Sequence, residues 1–282
     1  VGKIIQCPYH SWTYDLDGSL IASPHFGGTN NHRPQGFNNS DHGLKPIRIH
    51  VWNDWIFINL SGKAKKFDEY AKPLIKRFDD IDFKKLKYAA TLDFGKINTN
   101  WKFLIENFIE PYHVQFVHKT TTNQPLKDHY TIVDGICYGS GVDVKEEDNK
   151  NSNALSVTSR YLSLFPNFII GTYFPNQVGV YLNIPISPGV TSQKRIIYTT
   201  DGKEMTREES NTAKKIWWSV HKEDHEMCER LQEGRSSPAS DHGGLLSPHW
   251  EKGVQAFKKL IIEATMKSSK TLKGKKNAQR KK

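Results

Sequence analysis

Asn100-Trp-Lys-Phe-Leu-Ile-Glu-Asn-Phe-Ile-Glu-Pro-Tyr-His-Val-Gln-Phe-Val-His118 is the stretch on which the reading of the chain turns. Trp101, Leu104, Ile105 and Phe108 recur at helical spacing, so residues 101–112 read as a helix with one apolar face. Asn100 stands directly before it, where an N-cap is expected. His113 and His118 follow Pro111. Five residues along an ideal helix turn about 140°. The two rings therefore meet only where the helix breaks or widens, and Pro111 with the β-branched Val114 and Val117 favours such a distortion. Two imidazoles and one carboxylate on one face are the donor set that holds mononuclear Fe(II) with positions left open. The plainer alternative is two unrelated histidines in a chain with twelve.

Downstream, residues 130–200 carry β patterning, above all Phe168-Ile-Ile-Gly-Thr-Tyr-Phe and Val178-Gly-Val-Tyr-Leu-Asn-Ile. The polar residues 145–153 read as a loop. A long helix is expected over 207–232 and a second over 248–265. Within the first, Trp217, Val220, Met227, Cys228 and Leu231 form one apolar stripe with Asp224 in its middle. Glu223 lies about 80° away and Glu226 about 140° away, on the solvated side. A carboxylate on a buried stripe has to be paired, hydrogen-bonded or metal-bound, so Asp224 is either the third ligand or half of a buried ion pair. Cys228 reads as a packing residue, His225 as a surface residue and Tyr112 as core. His242 and His249 receive no role.

Upstream, the first 60 residues read as short strands and turns, with Asp17-Gly18 as a hairpin signal and Val51-Trp-Asn-Asp-Trp-Ile-Phe-Ile-Asn-Leu60 as a β run. A helix is expected over 67–78 and a strand near 88–97. Cys7 and His10 form a Cys-x-x-His pair, which suits zinc or a [2Fe–2S] centre of mixed Cys/His ligation, against a buried Cys beside a surface His. The order of elements makes this an α+β protein.

Composition narrows the function classes. The chain has 282 residues and a formal net charge of +10, but eight Lys or Arg and no acid fall within residues 267–282. Without that tail the body is close to neutral, so global charge gives no case for nucleic-acid binding. The tail reads as a disordered basic end. No apolar run is long enough for a membrane span. Three scattered cysteines make no disulfide framework, and a reduced cytoplasmic setting is the expectation.

Two strings resemble one family. Cys7-Pro-Tyr-His-Ser-Trp-Thr-Tyr-Asp-Leu-Asp-Gly18 resembles the second cluster-binding loop of Rieske-type non-haem iron oxygenases, and residues 100–118 closely resemble the catalytic helix of their large (alpha) subunit. Lys222-Glu-Asp-His-Glu-Met-Cys-Glu-Arg-Leu-Gln-Glu-Gly234 resembles the segment that carries the last iron ligand. The resemblance implies His113, His118 and Asp224 as ligands of a mononuclear Fe(II). It implies Cys7 and His10 as half the ligands of a [2Fe–2S] cluster, Glu110 as the carboxylate bridging a Rieske histidine to an iron-ligand histidine, and Asn100 near the iron. The missing Cys-x-His loop is expected upstream of Val1, so the chain reads as N-terminally truncated.

The implied layout is a partial Rieske β domain over 1–62, a helix-grip catalytic domain with an antiparallel sheet over 63–265, and the basic tail over 266–282. The strands near 165–184 would wall the substrate cavity. The implied activity is O₂-dependent hydroxylation of a small organic substrate. Electrons would come from NAD(P)H through a reductase, in some members with a ferredoxin, and the bridge would join neighbouring subunits of a homotrimer. Aromatic ring hydroxylation competes with monooxygenation or demethylation, and Glu at 110 leans toward relatives acting on quaternary amines. Two other classes stand against this reading. An electron-transferring Rieske protein has no use for His113, His118 and Asp224. A non-catalytic helix-grip binding module has no use for Cys7 and His10.

Overall fold

Pro111 sets the geometry on which the second half of the chain is built. In a computed structural model, which describes residues 2–122, 124–143, 158–173 and 175–279 and side chains as far as 267, helix α2 (Trp101–Ile109) stops two residues before it. Glu110 is extended, at φ −111° and ψ 141°. A residue preceding proline is pushed out of the helical region by the proline ring, which accounts for the stop. The expected helix thus ends earlier than residue 112, and a separate four-residue turn, α3 (Val114–Val117), follows.

The chain separates into two units, Val1–Phe67 and Asp68–Lys282. The boundary lies five residues beyond the one expected after residue 62, because the Phe67 ring packs against His50, Trp52 and Phe57. In the first unit, β1 (Ile5–Gln6), β2 (Thr13–Tyr14) and β3 (Leu20–Ala22) form a small antiparallel sheet, with Gly18 at φ 91° in the expected Asp-Gly turn. The β run at 51–60 proves to be part of a hairpin. Its strands β4 (Arg48–Trp52) and β5 (Trp55–Asn59) turn at Asn53, whose φ of 54° suits asparagine.

In the second unit, the helix expected over 67–78 appears as α1 (Phe67–Ile75) followed by a short 3₁₀ turn. One seven-stranded antiparallel sheet runs in the order β6-β12-β11-β10-β9-β8-β7. These strands are β6 (Lys87–Ile97), β7 (His129–Asp134), β8 (Cys137–Asp143), β9 (Thr158–Leu164), β10 (Phe168–Tyr173), β11 (Gln177–Ser187) and β12 (Val190–Thr199). The loop expected at 145–153 lies outside the described residues. Helix α2 packs against β8, β9 and β11, with α4 (Arg207–Arg235) beside β6 and α5 (Lys252–Gln279) beside β7 and β8. Ile105 and Ile109 of α2 meet Tyr138, Ile169, Tyr181, Val254 and Phe257 in the main core. A sheet gripping one central helix, with two helices at its flanks, is the expected α+β architecture.

Both long helices run past their expected ends, and the second begins at Lys252, four residues later than expected. Helix α4 begins at a reciprocal cap, where Thr206 Oγ1 accepts from the Glu209 N–H and Glu209 Oε2 accepts from the Thr206 N–H. It runs three residues past its expected end, through Gly234 to Arg235. The tail expected to be disordered from 266 is instead helical as far as Gln279, since its Lys, Ala and Leu residues favour helix and no proline interrupts them. No helix among the described residues is long and apolar enough to cross a membrane.

Gly139 lets β9 approach closely. A Cβ there would run into the Tyr161 carbonyl oxygen and stand 3.0 Å from the Leu162 Cα. Gly139→Ala is expected to cost at least about 2 kcal/mol, since the clash is with backbone rather than a movable side chain. Denaturant melts would read this, and an unchanged midpoint would contradict the packing described.

Candidate metal centre

Glu110 turns the end of α2 into a support. Its Oε2 accepts from the backbone N–H groups of Tyr112 and His113, and its Oε1 accepts from His113 Nδ1–H at 2.6 Å. One carboxylate therefore fixes both the start of α3 and the orientation of the His113 ring. His118 closes the same turn, with φ −91° and ψ 42°. His113 is itself helical, at φ −72° and ψ −25°, and the Val117 and His118 N–H groups donate to the His113 and Val114 carbonyls. The expected break between the histidines is therefore absent: the helix breaks before His113, and the side chains bring the two rings together across one turn. Their ring centroids lie 5.3 Å apart.

Helix α4 brings the third group. Asp224 Oδ1 lies 3.1 Å from His118 Nε2 and 3.5 Å from His113 Nε2. Two ligand atoms each about 2.1 Å from one ion stand roughly 3.0–3.5 Å apart, so these separations suit a shared metal. Among the described residues this is the one group of three or more His, Cys, Asp or Glu whose ligand atoms converge, all within 4.8 Å of one another. Oδ1 is buried and makes no hydrogen bond, because the close ring nitrogens are not lined up to donate to it. An orphaned buried carboxylate oxygen facing two Nε2 atoms is what a metal would complete.

The outer nitrogens agree. His118 Nδ1–H donates to Glu223 Oε2 at 2.7 Å, and Thr121 Oγ1 donates to the same oxygen at 2.6 Å. With both Nδ1–H groups held by carboxylates, both Nε2 atoms are turned to the centre, where a metal would take their lone pairs, the usual arrangement around metal-binding histidines. Burial resists a charge on His118, but Asp224 and Glu223 outweigh it and push this imidazole up to about 9. Burial alone would raise Asp224, and the two histidines overcome it, holding the carboxyl well below the usual carboxylate range.

The centre opens on a cavity lined by the three groups together with Asn107, Phe108, His129, Tyr161, Tyr173, Tyr181, Arg195, Trp217 and His221. As the resemblance implied, strand residues wall this cavity, Tyr173 and Tyr181 among them. Burial pushes His129 down to about 4. His221, fully enclosed beside the Arg195 charge, is held well below the ordinary histidine value. Both rings are neutral at pH 7.

Several expectations need correction. Asn100 does not line this cavity. Its side-chain oxygen caps α2 by accepting from the Lys102 N–H at 3.0 Å, and its amide donates to the Pro188 carbonyl. The asparagine beside the centre is Asn107. His225 is not a surface residue: it is half-buried, with Nε2 2.7 Å from Gln193 Oε1. Glu223 supports His118 instead of facing solvent. Tyr112 and Leu231 are exposed, while Cys228 is buried as expected. In the first unit, Cys7 and His10 sit in a tight loop closed by Cys7 N–H to Trp12 O and Ser11 N–H to Cys7 O. Cys7 is half-buried and His10 exposed. Among the described residues no third potential ligand converges with them, and two ligands do not by themselves hold a two-iron cluster.

Residues 78–266 match the family model described as the ring hydroxylating alpha subunit (catalytic domain). The chain belongs to this family. It is 26% identical over 261 residues to the chloroplastic choline monooxygenase of Atriplex hortensis, covering 89% of this chain and 57% of that protein. It is 35% identical over 118 residues to the oxygenase subunit of glycine betaine monooxygenase from Pseudomonas aeruginosa, covering 42% of this chain and 26% of that protein. The chain thus spans less than three-fifths of the length of these relatives. A crystal structure of a quaternary ammonium Rieske monooxygenase in complex with L-carnitine shares the fold, with a TM-score of 0.72 at 21% identity, over 93% of this chain and 72% of that one.

In the metal-free chain His118 carries a proton that a metal must displace. Apparent affinity for Co(II), measured anaerobically, is therefore expected to rise with pH and level off above about 9. A flat profile between pH 7 and 9 would contradict the charge balance. Glu223→Gln is expected to weaken metal binding by about 10–100-fold, since it loosens His118 without removing a ligand. Equal affinity in a Co(II) titration would remove Glu223 from the site.

Proposed function

We propose that this chain is the catalytic part of a Rieske-type non-haem iron oxygenase large subunit, with His113, His118 and Asp224 as the ligands of mononuclear Fe(II). The observation that carries the reading is the buried, unpartnered Asp224 Oδ1 facing two Nε2 atoms whose rings are each fixed through Nδ1. Iron(II) bound there would supply the activation of O₂ for hydroxylation of an organic substrate. Around it, Glu110 and Glu223 orient the ligand rings, and the aromatic side chains of the cavity exclude water from the bound substrate. The neutral His129 and His221 keep further positive charge out of the wall.

The relatives' names favour a quaternary amine over an aromatic hydrocarbon as the substrate class, in line with Glu at 110. For the whole protein we take Cys7 and His10 as two ligands of a [2Fe–2S] cluster. An NAD(P)H-dependent reductase, with or without a ferredoxin, is its electron source, and a homotrimer is its assembly, with Glu110 as the bridging carboxylate between subunits.

Asp224→Ala is expected to leave the helical and strand content unchanged by circular dichroism while iron content falls from about one per chain to near zero, since two imidazoles alone bind Fe(II) weakly. Undiminished iron in the folded variant would refute the ligand assignment. Glu110→Gln, loaded with Fe(II) in excess to offset a loosened His113, is expected to lose reductase-coupled turnover, and near-normal turnover would remove the bridging role.

A further inference from the structure

Arg195 is the one strongly polar side chain of the cavity wall that the iron reading leaves unused. It projects from β12 and is fully buried, at 0% exposure. Its Cζ lies 3.4 Å from the Trp217 ring centroid, 4.5 Å from that of Tyr173 and 5.1 Å from that of Tyr181. Gly179 on neighbouring β11 makes room for it, since a Cβ there would fall 2.8 Å from Nη2. Nη1 donates to the Tyr181 hydroxyl and, at 3.2 Å, to His221 Nε2. Nε and Nη2 donate to nothing, and among the described residues no carboxylate oxygen lies within 4.0 Å.

A guanidinium cannot discharge by losing its proton, so a buried one demands acceptors. Aromatic faces and two neutral acceptors answer only part of that demand, and two charged N–H groups are left bare. Those two share one edge of the guanidinium and form the side-on fork that matches both oxygens of a carboxylate. The same aromatic rings would otherwise make a box for an organic cation. Here the protein's own cation fills that box.

We propose that Arg195 anchors a carboxylate on the substrate, so that this cavity selects carboxylate-bearing molecules, zwitterions included, over simple cations. His221 connects Arg195 with the metal triad: it accepts from Arg195 and lies one helical turn before Asp224. The cavity that Arg195 lines is also lined by His113, His118 and Asp224, so a small molecule held by its carboxylate at Arg195 would occupy the space the metal triad borders. The proposal rests on the oxygenase reading for what happens in that space, and on Arg195 alone for the grip.

Isothermal titration calorimetry on the full chain tests it with four probes. Glycine betaine and 4-trimethylammoniobutanoate pair a trimethylammonium group with a carboxylate. Choline carries the same cation with a hydroxyl, and acetate carries the carboxylate alone. At least one of the two zwitterions is expected to bind at least about 10-fold more tightly than choline, because the fork's donors go unpaired with the alcohol. Arg195→Gln is expected to bring that zwitterion down to the level of choline. Arg195→Lys, which keeps the charge in case the glutamine variant does not fold, is expected to retain only part of the preference because it lacks the fork.

Choline binding as tightly as the zwitterions, no binding by any carboxylate probe, or unchanged carboxylate affinity in either variant would overturn the assignment. The two readings fail separately. Iron retained in Asp224→Ala removes the oxygenase reading and leaves the carboxylate grip standing. Carboxylate affinity independent of Arg195 removes the grip and leaves the iron site.

Discussion

The Glu110 carboxylate is the interaction on which the centre depends. Pro111 ends α2 and forces Glu110 into an extended conformation, which brings its side chain back over the next turn. One oxygen then satisfies the backbone of Tyr112 and His113, and the other takes the His113 ring proton. Helix termination, start of the next turn and ring orientation are thus one event. The break falls before His113 and sets the single turn from His113 to His118 apart from α2, with both Nε2 atoms reaching Asp224.

Charge in the interior is laid out with the same economy. Three carboxylates, Glu110, Glu223 and Asp224, hold the two imidazoles of the centre, and the guanidinium of Arg195 lines the same cavity as the metal triad. His221 and His129 sit in the same wall and are kept neutral by burial. Electrostatic interactions strengthen in such a poorly hydrated space, so a substrate with charge of the wrong sign meets a larger penalty than it would at the surface. Aromatic side chains of β9, β10, β11 and α4 form the cavity walls, and the small residues Gly139 and Gly179 let the bulkier groups fit.

How much of this could be read in advance varies by residue, for physical reasons. Asp224 was legible because a carboxylate on a helical apolar stripe contradicts its surroundings, and periodicity exposes such a contradiction locally. His113 and His118 were legible as candidates from their residue types and from the family string, but the break expected between them is not there, since proline ends the helix before His113. Glu223 was misread because the helical wheel gives the angle of a side chain and not what stands opposite; His118, 105 residues earlier, stands there. His225 failed in the same way, against Gln193. Leu231 belongs to the apolar pattern but is exposed. Arg195 left a faint signal: it shares the inward face of β12 with Ile197, an odd position for an arginine. Asn100 was placed near the metal by resemblance, whereas the register of α2 gives that position to Asn107, two helical turns on, and leaves Asn100 to cap.

By itself the sequence determined the α+β class, most of the helices and strands, the break at Pro111 and the three candidate ligands. Each rests on local patterning, propensity and backbone sterics, which act between residues close in the chain. Only the tertiary structure decided which nitrogen of each histidine faces the centre, which carboxylates hold the other nitrogens, and that an arginine fills the aromatic box. Those outcomes depend on pairings across more than a hundred residues, from α3 to α4, and on the register that sets Arg195 of β12 beside Gly179 of β11. Such contacts are fixed by packing and desolvation in the assembled interior, where no local rule reaches.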